Sequence, residues 1–543
     1  MVFQVLRPNT ASLGFGLFLA IHASSVWGGA FPLLPLTLQT FDVMTLFAIV
    51  ECLAFSLTFF ASMAFSLYCP NLMRHRTAVL CGPIMCLGSI CLIAPLYATE
   101  WLIGLVVIGA ICLGVGSATF FLSWQRLFAS QSAERGTLDL VLGMGYSAPL
   151  YFVLHAIPKA VAAYTIPFIF IPLAEVCLID ASKHIDFEQP MFFDDPRQHK
   201  HVYRHVVSFS WRSALCVGGI GFASGIARAV ALEDPAMGIF VNYASMTGAL
   251  LSAIALVWLW RHYTFRFDTV LAFRTVFPAV ITAFLLVPYL DSFYLRIFAG
   301  IMYAVFTFAT MIMMVQCAQA SRDSGISPTY IYGFFAGIVY LLQGLGFLTG
   351  YGSAELFSNS PLQLATMALA SVWVLAVTLY AVRGRFNAEE LQTPAVEFIS
   401  LSSTRSLGEP SSADGRDAGR SKKDDAAPLL QQVPSLQFAH DARRSVHEGE
   451  ALSAPPKGFS REVGDQPFRD KLSKQCAAVA KRFFLTTREM EVMELLARGS
   501  SVPRIADTLI ISENTVKTYC KRLYLKLDVH KREELLDLIE EVG

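Results

Sequence analysis

The chain has 543 residues, of which 54% are apolar and 15% charged, and its formal net charge is +0. Residues 1–382 contain 17 Lys+Arg and 17 Asp+Glu, whereas the last 161 residues contain 25 of each. The balanced total therefore hides a membrane-like body and a water-soluble tail. This composition excludes a wholly disordered, a fibrous or a secreted disulfide-rich protein.

The sequence carries no pattern typical of an enzyme. The eleven cysteines include no Cys-x-x-Cys pair, which argues against a zinc site or a redox dithiol. No Walker loop, Ser-His-Asp order, kinase signature or phospho-receiver segment is evident. We therefore expect no enzymatic activity, no catalytic residue, no metal and no cofactor.

Twelve apolar stretches are long enough to cross a bilayer, which takes about 20 residues in a helix. They are predicted at about 11–35, 41–68, 77–97, 101–124, 137–157, 160–180, 211–231, 236–259, 269–288, 292–316, 328–351 and 361–382. Lys and Arg are concentrated in alternate loops and at both ends of this body. The positive-inside rule then places the N- and C-termini in the cytoplasm and the body in the inner (plasma) membrane.

The polar stretch 181–210 divides the spans into two groups of six. This layout resembles the major facilitator superfamily, in which two six-helix halves rock around a central cavity. The resemblance covers residues 1–382 and is architectural. That superfamily has Gly-x-x-x-Asp-Arg-x-Gly-Arg-Arg between its second and third helices, but the segment from Pro70 to Arg76 lacks the glycines and the aspartate. The departure counts against an ordinary transport cycle.

Ionisable residues at membrane depth are costly and by default indicate a functional site. His22 and Glu51 lie near the middle of the first and second spans. Their position fits a structural hydrogen bond, a span boundary that differs from the predicted one, or a ligand or proton site. Arg228 lies nearer a span end, from which its side chain can reach the interface. Trp27 precedes two glycines and could mark a broken, cavity-lining helix, although glycine is common in membrane helices. The predicted ligand residues are thus His22, Glu51 and Trp27, for a small molecule that the sequence does not identify.

Residues 383–482 contain no Trp or Tyr and are rich in polar residues. Such a segment cannot bury enough apolar surface to offset its conformational entropy, so we predict a disordered cytoplasmic linker. Random-coil scaling gives about 100 residues of this kind an end-to-end distance of roughly 50–60 Å.

Four short amphipathic helices are predicted in residues 483–543. The first begins with Thr486 as N-cap and has Glu489 three residues later, which is the pattern of a capping box, and Gly499 is placed to end it. The other three are predicted at about 502–509, 513–526 and 531–541.

The helix 513–526, with Ser512 as its N-cap, has distinct apolar and basic faces. Its apolar positions are Val516, Cys520, Leu523 and Leu527. Its opposite face carries Asn514, Lys517, Thr518 and Lys521. Although residues 483–543 have no overall excess of basic residues, this helix has a local charge of +3 that can meet phosphates. Two short helices, a turn and a basic helix describe a helix-turn-helix whose recognition helix fits the major groove.

The same residues resemble the LuxR/FixJ-type four-helix DNA-binding domain of bacterial regulators. The matching segments are 485–492 (Leu-Thr-Thr-Arg-Glu-Met-Glu-Val), 505–518 (Ile-Ala-Asp-Thr-Leu-Ile-Ile-Ser-Glu-Asn-Thr-Val-Lys-Thr), 526–529 (Lys-Leu-Asp-Val) and Arg532. One departure is Tyr519, where the family usually has histidine. Another is the segment 501–504, where a Lys-Glu pair usually precedes Ile-Ala.

The resemblance implies roles for individual residues of this domain. Lys517, Thr518 and Lys521 would face base edges and adjoining phosphates, and Thr515 and Arg522 would touch the DNA backbone. The fourth helix would make a dimer contact. The implied partners are double-stranded DNA and a second copy of the chain, and Asn514 belongs to the same polar face.

The combined pattern predicts an all-α protein in which a twelve-helix membrane domain (1–382) is joined through the linker (383–482) to a helix-turn-helix domain (483–543). Because no phospho-receiver is evident, the membrane body is the expected input, and the predicted function is a one-component, membrane-embedded transcriptional regulator. The alternative is a major-facilitator-like carrier with an attached autoregulatory DNA-binding domain. A third reading has the C-terminal domain bind another protein.

Overall fold

The computed structural model describes residues 7–25, 32–69, 80–183, 185, 189–193, 200–233, 235–263, 265–357, 361–382, 395–398, 471–483, 485–511 and 513–542. In the membrane body the helices are α1 (Thr10–Ser25), α2 (Phe41–Tyr68), α3 (Cys81–Ile93), α4 (Leu102–Ser130), α5 (Ala133–Ala156), α6 (Lys159–Thr165), α7 (Ile171–Ser182), α8 (Pro190–Phe193), α9 (Lys200–Glu233), α10 (Pro235–His262), α11 (Thr269–Leu286), α12 (Ser292–Ser324), α13 (Pro328–Phe357) and α14 (Pro361–Val382). A π-helical turn, Ile166–Phe170, makes α6 and α7 one continuous rod.

The helices of the body have the length and composition of membrane spans. Within the described residues, ten are long and apolar enough to cross a bilayer, and Thr10–Ser25 and Cys81–Leu96 are shorter apolar helices. Together they occupy the twelve predicted positions, which confirms the all-α class and the twelve-helix bundle. The first helix ends at Ser25, and Trp27 lies outside the described residues, as does the loop 70–79.

Local capping explains where several of these helices begin and end. The side chains of Thr40 and Ser132 accept hydrogen bonds from the first turns of α2 and α5. Asp291 does the same for α12, where its carboxylate accepts from two backbone N–H groups at 3.1 Å. At its other end α12 stops at Gly325, which has a φ of 68° in the left-handed region that favours glycine.

The two halves of the bundle, α1–α7 and α9–α14, meet mainly along two helix pairs. Helix α2 packs on α13, and α5 packs on α10. Inside the second half, glycines allow α9 and α13 to approach very closely. A Cβ at Gly225 would collide with the Gln343 backbone, and a Cβ at Gly346 would collide with the Phe222 backbone. The interior is therefore close-packed except where cavities are described below.

A short antiparallel ribbon closes one end of the bundle. Strand β1 (Phe265–Asp268) pairs with β2 (Ala395–Phe398), with Phe265 opposite Phe398. The two phenylalanine rings stack at 4.7 Å, and Trp260 meets Phe398 edge-on. Strand β2 lies inside the stretch 383–482 that the composition marks as a linker, so the chain is ordered there by pairing with the α10–α11 connection.

The C-terminal domain has its own hydrophobic core, separate from that of the bundle. Its helices are α15 (Lys471–Arg482), α16 (Thr487–Ala497), α17 (Val502–Leu509), α18 (Glu513–Leu527) and α19 (Arg532–Val542). Helix α15 also falls within the predicted linker, yet it belongs to this domain, because Cys476 and Val479 are fully buried in the core. The described part of the domain thus begins at Lys471, twelve residues before the predicted boundary at 483, and the stretch 399–470 between β2 and α15 lies outside the described residues.

Candidate nucleic-acid interface

The first helix of the predicted motif is fixed by a complete capping box. The hydroxyl of Thr486 accepts a hydrogen bond from the backbone N–H of Glu489 at 3.2 Å, and the Glu489 carboxylate accepts one from the backbone N–H of Thr486 at 2.9 Å. Glu489 also holds the ammonium group of Lys526 at 2.6 Å. Lys526, one of the basic residues counted on the third predicted helix, is therefore paired inside the domain and links α18 to α16.

The turn of the helix-turn-helix is set by one residue in a left-handed conformation. Ile510 has a φ of 55°, and its backbone N–H still bonds to the carbonyl of Ala506 at the end of α17. Ile505 and Ala506 are buried beneath the turn, and Ile511 is buried just after it. Ser512, the predicted N-cap of α18, lies outside the described residues.

Helix α18 presents its two central lysines to solvent, because Lys517 and Lys521 are exposed. Val516, Leu523 and Leu527 are buried in the domain core, as their spacing predicts. Cys520 is only partly buried against that core. The side chain of Asn514 lies outside the described residues, so its predicted place on the polar face stays a prediction.

The remaining predicted contact residues of α18 face the membrane body. Thr515, Thr518 and Arg522 line a small cavity together with Tyr519 and a patch that we call the docking site, which consists of Gln189, Met191, Arg322, Asp323 and Gly325. Thr515 is 2% exposed and Tyr519 is 3% exposed. The structure therefore divides the predicted DNA-facing residues into two exposed lysines and a covered set.

Tyr519 makes the central polar contact between the two domains. Its hydroxyl donates to the backbone oxygen and to the carboxylate of Asp323, each at 3.0 Å. Burial, reinforced by the neighbouring carboxylate, holds the pKa of Tyr519 well above its usual value, so the phenol remains a donor at physiological pH. Sequence reasoning missed this contact, and its one signal was that a tyrosine stands where the family usually has histidine.

A central cavity of about 100 Å³ lies between the halves of the bundle. Residues of both halves line it, including His22, Phe121, Asn242, Ser245, Tyr303 and Tyr340. His22 is 7% exposed and is surrounded by aromatic rings, with Phe18 and Phe55 stacked beside it and Phe121 edge-on. Of the two predicted ligand residues that the structure describes, His22 and Glu51, only His22 lines the cavity.

Glu51 takes part in a buried ion pair. Its carboxylate lies 3.8 Å from the Arg228 guanidinium, which also donates to the Cys52 sulfur at 3.3 Å and lies over the ring of Phe347. Both charged residues are at most 5% exposed, so Arg228 does not reach the membrane interface as its position near a span end had indicated. Because Glu51 lies on α2 and Arg228 on α9, the pair connects the two halves.

Comparisons with known proteins place the C-terminal domain in a family. A family model described as "Bacterial regulatory proteins, luxR family" matches residues 484–539. The chain is 37% identical over 82 residues to a putative transcriptional regulator of Pseudomonas aeruginosa, a match that covers 15% of this chain and 36% of the relative. It is 46% identical over 54 residues to the virulence factors putative positive transcription regulator BvgA of Bordetella pertussis, covering 10% of this chain and 26% of the relative.

The chain therefore spans only 26–36% of the length of these two curated relatives. A bacterial homologue of the iron transporter ferroportin, solved in an outward-facing state, is similar to the membrane body with a TM-score of 0.47 and 12% identity, over 69% of this chain and 99% of that one. Residues 484–539 are a LuxR-family helix-turn-helix domain, and the chain joins this regulator domain to a membrane bundle of twelve apolar helices.

Proposed function

We propose that the protein is a one-component transcriptional regulator embedded in the inner (plasma) membrane. It senses a small molecule through residues 1–382 and binds promoter DNA through its C-terminal domain. The observation that carries this proposal is that a LuxR-family domain and a polytopic bundle with an internal cavity are parts of one chain. The domain division is proposed as the sequence predicted it, with α15 added to the C-terminal unit.

The orientation in the membrane follows from charge and from the location of DNA. The loops and ends that share a side with the C-terminal domain carry most of the Lys and Arg of the body, which is the bias of cytoplasmic segments. Since chromosomal DNA is cytoplasmic, both termini lie on that side. DNA half-sites are then read by two copies of the domain, with α19 in the dimer contact.

The signal enters through the central cavity. Its polar wall groups are uncharged amides and hydroxyls together with the imidazole of His22, and they can orient a small ligand against aromatic rings. A ligand that binds one arrangement of the halves better than another shifts the population toward that arrangement. The presentation of the DNA-binding domain then changes with ligand concentration.

The test compares transcript profiles in the native host. Cells that express the full chain, a chain lacking residues 1–382, and the full chain with Lys517→Ala and Lys521→Ala should show three different profiles. The double variant should resemble a deletion of the gene. A profile that is unaffected by loss of residues 1–382 under every growth condition tested would exclude the membrane body as the input.

A cavity-filling variant tests the ligand site separately. Ala249 is buried on the cavity wall, whereas Leu251 on the same helix α10 is 61% exposed. Ala249→Phe should abolish the response to the growth condition that changes the profile, and Leu251→Phe should leave it intact. If both variants respond normally, the signal does not enter through this cavity.

The carrier alternative has one supporting observation, since a cavity lined by both halves also suits a transported substrate. Uptake or efflux of the effective compound by vesicles that contain the purified protein would favour it. Promoter binding would then serve autoregulation. A response that persists with no measurable transport favours the sensor.

A further inference from the structure

We propose that the membrane body and DNA compete for overlapping sides of α18, so that the docked protein described above is the DNA-free, inhibited state. This inference rests on the proposed function and names its mode of regulation. It is carried by the contacts between α18 and the docking site.

The covered side of α18 is part of the surface that a recognition helix presents to DNA. Such a helix enters the major groove with one side against bases and phosphates. In the docked protein three of the residues predicted to contact DNA, Thr515, Thr518 and Arg522, line the contact with the docking site, whereas Lys517 and Lys521 remain exposed. A duplex cannot occupy the same space, so DNA binding requires undocking.

Two contacts make the docking specific. Tyr519 donates to Asp323 as described, and hydrogen bonds to a charged acceptor are stronger than neutral ones. Gly325 allows the second contact, because a Cβ at this position would collide with the hydroxyl oxygen of Thr515. The end of α12 is thus shaped to receive α18.

The docking site is built from the second half and from the connection between the halves, and a hydrogen bond ties it to the first half. Asp323 and Arg322 lie at the end of α12 in the second half, and Arg322 donates to the backbone carbonyl of Phe128 on α4 in the first half at 2.9 Å. Met191 comes from the connection between the halves. A relative movement of the halves therefore changes the geometry that α18 recognises.

Helix α12 links this site to the central cavity. Tyr303, Thr307 and Met314 of α12 line the cavity, and Asp323 lies nine residues beyond Met314, which is about 14 Å along a helix. Near the cavity, the Gln125 side chain of α4 donates to the Met314 carbonyl at 2.9 Å. A ligand that displaces α12 relative to α4 would move the docking site with it, and this gives the cavity a physical route to the DNA-binding domain.

Docking should weaken the apparent DNA affinity of the full chain, because only the undocked fraction of the protein can bind DNA. If only a fraction of the protein is undocked, the apparent Kd equals the intrinsic Kd divided by that fraction. Loss of a hydrogen bond to a charged group, worth about 1.5–3 kcal/mol, corresponds to a change of about tenfold or more in that equilibrium. Variants at Asp323 test this without altering the DNA-binding domain.

The experiment measures DNA binding by the full chain in nanodiscs. The probe is a fluorescent duplex selected from a random library by the fragment 471–543, which can be used alone because it has its own core. Asp323→Ala should lower the apparent Kd about tenfold or more, toward that of the fragment. Asp180→Ala, which removes a half-exposed carboxylate paired with Lys183 on α7, should leave the Kd unchanged.

A second variant separates docking from misfolding. Tyr519→Phe should tighten DNA binding in the full chain and change it little in the fragment. Alkylation of a thiol introduced by Thr518→Cys, followed by peptide mass spectrometry, should be slow in the full chain and about tenfold faster when Asp323→Ala is added. Alkylation of a thiol introduced at exposed Lys517 should be fast in both.

Two outcomes would overturn the proposal, and they can be told apart. If the fragment binds DNA and the wild-type full chain binds as tightly as the Asp323→Ala variant, docking has no regulatory effect although the proposed function stands. If the fragment retains no duplex from the library, the proposed function itself fails.

Discussion

The guanidinium of Arg322 donates a hydrogen bond of 2.9 Å to the backbone carbonyl of Phe128, and this bond ties the ends of α12 and α4 together. The two helices belong to different halves of the bundle. The bond is buried, and the neighbouring residue Asp323 is the acceptor for Tyr519 of the C-terminal domain. The contact between the two halves and the contact with the DNA-binding domain are therefore made by adjacent residues at the end of α12.

Loss of this bond should destabilise the bundle. Arg322→Gln removes the charged donor and leaves a buried carbonyl without it, which should cost about 1–3 kcal/mol and lower the unfolding temperature in detergent by several degrees. Arg135→Gln is the matched control, because Arg135 is 70% exposed and its pairing with Asp139 is long. Equal unfolding temperatures for wild type and Arg322→Gln would contradict the assigned role.

The buried pair of Glu51 and Arg228 should behave as a unit. Glu51→Gln or Arg228→Met alone leaves one buried charge without its partner and should cost about 3–5 kcal/mol. The double variant should recover much of that loss. Thermal unfolding of the four proteins forms a double-mutant cycle, and strictly additive losses would show that the two charges do not interact.

The exposed lysines of α18 should supply the DNA affinity. In the fragment 471–543, Lys517→Ala with Lys521→Ala should abolish detectable binding at physiological salt. At low salt it should reduce the slope of log Kd against log salt by about two. Membrane insertion of the full chain should be unaffected. Arg482→Ala on α15 serves as the control for nonspecific charge loss, and an unchanged slope in the double variant would count against α18 as the recognition helix.

The capping box should determine much of the stability of α16. Thr486→Ala removes the acceptor for the Glu489 N–H and should lower the free energy of unfolding of the fragment by about 1 kcal/mol. Thr508→Ala removes an exposed hydroxyl that bonds to the Arg504 carbonyl within helix α17 and should cost less than about 0.5 kcal/mol. Urea unfolding followed by circular dichroism measures both, and similar losses would argue against the capping role.

The start of α19 should make the fragment sensitive to acid. The backbone N–H of His530 donates to the Glu534 carboxylate at 2.6 Å and holds the pKa of Glu534 below its usual value of 4.5. Because the folded pKa is lowered, the stabilisation is fully present above pH 4.5 and is lost as the pH falls through the folded pKa. Glu534→Gln should therefore lower stability at pH 7 and flatten its decline in acid, and urea unfolding of the fragment at a series of pH values measures both effects.

The sequence was sufficient for the parts of the structure that have a periodic signal. Long apolar runs gave the twelve helices of the bundle, and the capping pattern at Thr486 and Glu489 gave the start of α16. Helix α15 was missed although Cys476 and Val479 have helical spacing, because the surrounding composition indicates a linker. Packing of Cys476 and Val479 into the core of the C-terminal domain therefore outweighed the low structural propensity of the surrounding sequence.

The docking contact could not be read from the sequence in the same way. Tyr519 and Asp323 are separated by 196 positions, and each is a single polar residue that belongs to no repeat. The buried position of Arg228 was also missed, because a residue near a span end can face either water or a protein partner. Whether Arg228 faces water or a protein partner depends on how the two halves of the bundle pack together.

The β1–β2 ribbon holds residue 398 against the membrane body and so limits how far the C-terminal domain can lie from that body. Phe398 is held against Phe265, and 72 residues separate it from Lys471. Even a fully extended chain of that length spans at most about 250 Å. Under the proposed function, a gene controlled by this protein would have to come within that radius of the membrane, so regulation would recruit its chromosomal locus there.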